Sequence, residues 1–282
     1  MPRKTIVIAG HITLDNVASF SGVWQAGATM TGRLGVAGAW PRAGGAPLFA
    51  ARRGAMAGHD ACPLTWIGDD PEGAAFMQAC AQQGISIGAV DCQVGARTPR
   101  CLLIYDEAGS VTCLLDPGDA ALRLSSPQMA VLERADHICI SAGPAELGHT
   151  ILDHCPADVP LSWIVKLDEK SFPGDLCARL AARAQFIFCN TSERAFVNAS
   201  FAGHCRPDQV IIQTMGAQGV QIDWADRSLS LPADPVDIVD ATGAGDTFAG
   251  EVIACLSSGD LGVVDAVRCG MVAARKLLQA RG

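Results

Sequence analysis

The stretch Val239-Asp240-Ala241-Thr242-Gly243-Ala244-Gly245-Asp246-Thr247-Phe248-Ala249-Gly250 places a carboxylate beside a run of small residues at the start of a helix. An apolar approach (Val236, Ile238, Val239) leads into the glycine-rich turn, and Phe248, Val252, Ile253 and Leu256 then follow at helical spacing. Gly243, Ala244 and Gly245 let a ligand approach the backbone closely. The first N–H groups of a helix lack intrahelical acceptors, and the helix dipole adds positive potential there. Such a start suits a phosphate. A carboxylate next to a phosphate cradle repels the anion unless it has a task. Asp246 fits the task of general base, accepting a proton from a hydroxyl that attacks phosphorus. A plainer explanation stands beside this one: Asp240 or Asp246 caps the helix and the glycines make a tight turn.

The elements that must position this stretch can be followed from the N-terminus. Ile6–Gly10 predicts a buried strand, and His11 to Asp15 follow it. Ligands of open α/β sheets bind beyond strand C-termini, so Asp15 is either a hydroxyl acceptor or a turn residue. From about Val17 to Arg42 there is no helical period, and glycines punctuate short apolar pieces, which predicts a β excursion. Trp24 and Trp40 lie in it and are assigned to packing or a dimer contact. Gly44-Gly45-Ala46-Pro47 opens a helix ending near Gly58. Leu64–Asp70 predicts a strand and acidic turn, and Pro71 to about Gln83 a helix stopped by Gly84.

Cys101–Tyr105 and Val111–Leu115 read as a hairpin, with Arg97 and Arg100 as solvated surface. Strands then alternate with helices: His137–Ser141, Leu161–Leu167, Phe186–Cys189 and Gln209–Thr214 are the strands. That alternation predicts a parallel sheet with helices on both faces. Asn190 and Glu193 follow one strand end, where Asn190 suits a turn and Glu193 the first turn of a helix. Thr214, Gly216 and Gly219 bracket a turn, and Asp265–Gln279 predicts a last helix.

Composition bounds the alternatives. The chain has 282 residues, 49% of them hydrophobic and 18% charged, which is ordinary for one large folded domain. A net charge of −8 without a basic stripe argues against non-specific nucleic-acid binding. No segment has the length and apolarity of a membrane span or signal peptide. Twelve cysteines occur singly, with no Cys-x-x-Cys and no zinc-ligand spacing, as expected of small hydrophobes in a reducing cytoplasm. In that compartment the glycosylation patterns at Asn190 and Asn198 carry no meaning. Neither Gly-x-Gly-x-x-Gly after the first strand nor a Gly-Lys-Ser/Thr occurs, which argues against a nicotinamide dehydrogenase or a P-loop enzyme.

The run from Asp240 to Asp246 resembles the C-terminal signature of the PfkB, or ribokinase-like, kinases, usually Asp-Thr-Thr-Gly-Ala-Gly-Asp, with Ala241 in place of the first Thr. The resemblance extends from Asp15 to the C-terminus. It implies a ribokinase-like three-layer α/β/α sandwich with a mostly parallel central sheet. It also implies a small β-sheet lid inserted at about 17–43 and 97–116 of a single domain, 1–282, which often pairs with a neighbour's lid in a homodimer. By the same resemblance Asp246 is the base, and Gly243, Ala244 and Gly245 form the anion hole. Asp15, Gly44 and Gly45 hold the substrate. Thr214, Gly216, Gly219 and Met271 line ATP, and Asn190 and Glu193 organise Mg2+ through water. The family's N-terminal signature carries Asn where this chain has Phe49. Phe49 therefore packs in the core or marks a different substrate, and some inositol-kinase-like members carry an apolar residue there. Typical members continue beyond the position of Gly282, with residues that complete a monovalent-cation site near Asp240, so K+ activation is not expected here.

These expectations amount to an ATP-dependent kinase acting on a hydroxyl of a small sugar or sugar-like substrate. A cyclitol or nucleoside kinase is the alternative within the family, motivated by Phe49. A catalytically silent nucleotide- or sugar-binding sensor is the alternative from another class, opposed by the retained Asp246.

Overall fold

The computed structural model describes residues 3–22, 25, 27–35, 41–107, 111–119, 123–201, 205–238 and 240–281. Trp24, Trp40 and Val239, singled out above, lie outside the described residues. Alternate residues of the first strand, β1 (Thr5–Ala9), enter different cores: Ile6 and Ile8 one, Val7 and Ala9 the other. A strand buried on both faces needs helices on both faces. The helices on the first face are α1 (Ala46–Met56), α2 (Pro71–Gln83), α7 (Ala244–Ser258) and α8 (Val263–Gln279). On the second are α3 (Ser126–Glu133), α4 (Ala145–His154), α5 (Gly174–Arg183) and α6 (Arg194–Ala199).

Between these layers runs a nine-stranded sheet. Its further strands are β5 (Asp60–Gly68), β6 (Val90–Gln93), β9 (His137–Ile140), β10 (Leu161–Ile164), β11 (Phe186–Asn190), β12 (Val210–Thr214), β13 (Val220–Asp223) and β14 (Ser228–Leu231). The order is β14-β13-β12-β11-β10-β9-β1-β5-β6. All neighbours are parallel except β12–β13 and β13–β14. The C-terminal ends of the parallel strands therefore open at one edge, where such sheets bind ligands.

A second sheet covers that edge. Its order is β3-β2-β7-β8, with β4 also pairing β2. The strands are β2 (Thr13–Phe20), β3 (Gly32–Leu34), β4 (Arg42–Gly44), β7 (Arg100–Tyr105) and β8 (Val111–Asp116). The excursion thus begins at Thr13, earlier than the expected 17, so Asp15 stands on a lid strand rather than in a loop.

Several boundaries follow local chemistry. Asp70 caps α2 by accepting from Gly73 N–H at 2.8 Å, Pro71 occupies the first turn, and Gly84 ends the helix at φ 65°. Two predicted boundaries are corrected. β10 stops at Ile164 instead of Leu167, because Asp168 N–H donates back to Lys166 O at 2.9 Å and turns the chain out of the sheet. The helix expected from Thr191 starts at Arg194, since Asn190 and Glu193 first close a turn.

Candidate active site

The signature turn is built by one backbone conformation and one packing contact. Gly243 is the N-cap of α7 with φ 75°, a left-handed geometry that a Cβ disfavours. A Cβ there would also lie 2.6 Å from the Phe49 ring. Phe49, on α1 and 6% exposed, therefore packs flat against the turn. Its other neighbour is the Arg281 guanidinium, 5.8 Å from the ring centre. The core alternative for Phe49 accounts for most of its surface, and one edge reaches the cleft.

Behind the turn, Asp240 gathers donors. It accepts from Arg42 Nη1 at 2.8 Å, from Tyr105 Oη at 3.1 Å and from Thr242 N–H at 2.9 Å, and Arg281 Nη1 lies at 3.4 Å. Arg281 Nη1 also donates to Thr242 O, and Tyr105 Oη meets Thr242 Oγ1 at 2.5 Å. Burial raises the Asp240 pKa, but the Thr242 bonds and the Arg42 guanidinium outweigh it and hold the carboxyl below its usual range. Arg42 and Tyr105 come from lid strands, so Asp240 joins the lid to the turn.

On the cleft side, Asp246 stands in the first turn of α7. Ala244 N–H donates to Ala241 O at 3.1 Å, so this member of the expected anion hole is already engaged. Among the described residues, the N–H groups of Gly243, Gly245 and Asp246 have no acceptor and remain for an anion. Of the three expected donors, Ala244 N–H is thus engaged within the turn, whereas Gly243 and Gly245 N–H are not.

The cleft is large, with about 1980 Å³ of solvent-accessible volume. Asp15, Gly45, Phe49, Asn190, Thr214, Gly216, Gly219, Gly243, Ala244, Gly245, Asp246 and Met271 all line it. Gly44 and Glu193 do not. Gly44 sits behind Asp15, where a Cβ would come within 2.1 Å of the carboxylate. It makes room for Asp15.

Asp15 is 4% exposed and accepts from Thr13 Oγ1 at 2.5 Å. Burial pushes its pKa up to about 6, opposed by the Thr13 bond and the Arg42 charge. Buried Glu193 is spent on its own turn. Glu193 Oε2 accepts from Asn190 N–H at 2.8 Å, and Asn190 Oδ1 accepts from Glu193 N–H at 3.0 Å. Burial raises the Glu193 pKa, offset by the Asn190 N–H and the Lys166 charge.

Three features escaped sequence reasoning. Lys166 enters the cleft because β10 ends early. Tyr105 reaches Asp240 across the lid. Cys101 and Cys113, on the two strands of one hairpin, bring their sulfurs to 2.8 Å on the inner face of the lid. The alternation of Cys101, Leu103 and Tyr105 along a strand was a usable signal for that shared face, but no local pattern marks the partners.

A mostly parallel sheet between helix layers, with a smaller sheet over the strand ends and Asp15 and Asp246 on one cleft, is the ribokinase-like arrangement expected from the sequence. Comparison with known proteins agrees. The profile of the pfkB family carbohydrate kinases matches residues 36–282. The chain belongs to this family, whose members are phosphotransferases with an alcohol acceptor. It is 23% identical to a ribokinase of Haemophilus influenzae over 300 residues, covering 99% of this chain and 94% of the relative. It is 27% identical to a cytidine kinase of Thermococcus kodakarensis over 289 residues, covering 98% and 97%. Among solved structures, ribokinase from Cryptococcus neoformans in complex with ADP superposes with a TM-score of 0.84 at 20% identity, covering 98% of this chain and 94% of that one.

Proposed function

We propose that this kinase transfers the γ-phosphoryl group of ATP to a hydroxyl of a small sugar or sugar-like substrate. The observation that carries the reading is Asp246 in the first turn of α7, beside unengaged N–H groups and facing the cleft shared with Asp15. In this reading Asp15 accepts a hydrogen bond from an acceptor hydroxyl and orients it. Asp246 takes the proton of the reacting hydroxyl as its oxygen attacks phosphorus and ADP leaves. The N–H groups of Gly243, Gly245 and Asp246 meet the charge on the transferred group. Thr214, Gly216, Gly219 and Met271 flank the nucleotide.

The residues near Asn190 suit a magnesium ion carried in with the nucleotide. Among the described residues no group of three or more His, Cys, Asp or Glu side chains can hold a metal alone. The Asn190–Glu193 pair offers few free oxygens, which fits an ion that keeps most of its waters. The ion would neutralise phosphate charge, with Asn190 acting through water and Glu193 holding the Asn190 turn in place. In this reading the Arg281 guanidinium, rather than potassium, supplies positive charge to Thr242 O and Asp240.

A cyclitol or nucleoside acceptor is the second reading. It is favoured by the lid's inner face, where Leu103, Tyr105, Val111 and Leu115 offer apolar surface to a ring. A lid-to-lid homodimer is supported by exposed Leu34 and Leu114 on the outer face, and a reducing compartment by the free thiols. The decisive experiment is ADP release with Mg-ATP across sugars, sugar acids, cyclitols and nucleosides, with Asp246→Asn alongside. Turnover on one acceptor, lost in the variant, establishes the reading. Binding without turnover on any acceptor supports a sensor instead.

A further inference from the structure

Two carboxylates, Asp246 and Asp15, line the cleft, and a third, Glu193, is buried beside Asn190. A nucleotide triphosphate entering there meets repulsion unless a cation answers it. The unengaged N–H groups of the signature turn carry only partial charge. Most cations nearby are committed. Arg42 and Arg281 serve Asp240, Arg268 pairs with Asp265 at 2.9 Å, and Arg275 pairs with Asp234. Lys276 stands on α8 toward Met271, and Lys170 lies in the turn beyond Asp168.

Lys166 differs in place and in company. It follows the end of β10, the strand beside β11 with Asn190 at its end, and lines the same cleft as Asn190 and Asp246. Solvent reaches the side chain through the cleft although protein surrounds it. Among the described residues its ammonium has no hydrogen bond or ion pair. The Asp246 charge, then that of Glu193, raises its pKa against the opposing effect of burial, which keeps it an ammonium at neutral pH. An ammonium that faces the base and the metal-side carboxylate without pairing to either is free to bind an anion between them.

We propose that Lys166 binds the γ-phosphate of ATP, donating from Nζ to its non-bridging oxygens and holding that charge as the group passes to the acceptor. The assignment rests on the kinase reading above and adds a residue to it. Because ADP lacks the γ-phosphate, the assignment separates the two nucleotides without any acceptor substrate.

The test is calorimetric titration of Mg2+ complexes of ADP and of the β,γ-imido analogue of ATP into wild type, Lys166→Met, Lys166→Gln and Lys166→Arg. Loss of one charge-assisted contact weakens the analogue about tenfold in the Met and Gln variants, while ADP changes by less than about twofold. The Arg variant retains most of the analogue's affinity. Equal weakening of both nucleotides, or no change in either, overturns the assignment and leaves the kinase reading intact. A wild-type protein that binds neither nucleotide overturns the kinase reading and the assignment together. Two uncharged variants guard against one of them failing to fold.

Discussion

Replacing Asp15 with Asn exchanges function for stability, and the size of the exchange follows from the site. Asp15 is 4% exposed, and burial raises its pKa from 3.8 to about 6. The groups that face it are Thr13 on its own strand, Arg42 on β4, Asp246 on α7 and Asp240 in the signature turn. Thr13 and Arg42 favour the charged form, and the two aspartates oppose it. Between pH 4 and pH 6 the folded state holds a proton that the unfolded state has released. Stability therefore falls as pH rises through this window. Above pH 6 the charged carboxylate costs about 3 kcal/mol relative to its unfolded state. Asn keeps the volume and an acceptor for Thr13 Oγ1 and removes the charge. Urea unfolding should show Asp15→Asn more stable than wild type by about 3 kcal/mol at pH 7.5. At pH 4.5 wild-type Asp15 is largely protonated, and the difference should shrink to about 1 kcal/mol. In the same variant the acceptor KM should rise while nucleotide affinity holds, because Asp15 stands on the smaller sheet and Thr214 and Met271 on β12 and α8. A variant less stable than wild type at pH 7.5, or a difference independent of pH, would refute the reasoning.

Three further outcomes are expected. Asp246→Asn should reduce ADP release about a thousandfold with little change in ADP affinity, measured by coupled assay and calorimetry. Gly243→Ala meets both φ 75° and the Phe49 ring, so it should destabilise the protein by about 2 kcal/mol and lower kcat. Combining it with Phe49→Leu should recover part of the stability, read by urea unfolding of the single and double variants. Replacing K+ by tetramethylammonium at constant ionic strength should leave kcat within about twofold, since the Arg281 guanidinium stays in place at any salt composition.

Much of the fold was legible because it is written in neighbouring residues. Continuous apolar runs such as Ile6–Ala9 marked strands buried on two faces. Asp70, Pro71 and Gly84 fixed both ends of α2, and the Gly243-Ala244-Gly245-Asp246 run marked a helix start with an acid beside it. These signals depend on backbone preference and side-chain period, which act over a few residues. Phe49 was legible only as a departure from a pattern. Nothing around it in sequence says that its ring lies on Gly243, and the turn of Lys166 out of β10 was hidden by the apolar Val165 and Leu167 on either side. Glu193 was the harder case, because its position at a strand end suggests the cleft while its carboxylate turns back to Asn190 N–H. The Asp240 cluster lay beyond sequence altogether: Arg42 and Asp240 stand 198 residues apart and meet only because the lid folds back over the strand ends. Local chemistry determined which residues start, cap and fill each element. Only the tertiary structure decided which charges face one another, because that depends on sheet order and chain crossings that no short stretch contains.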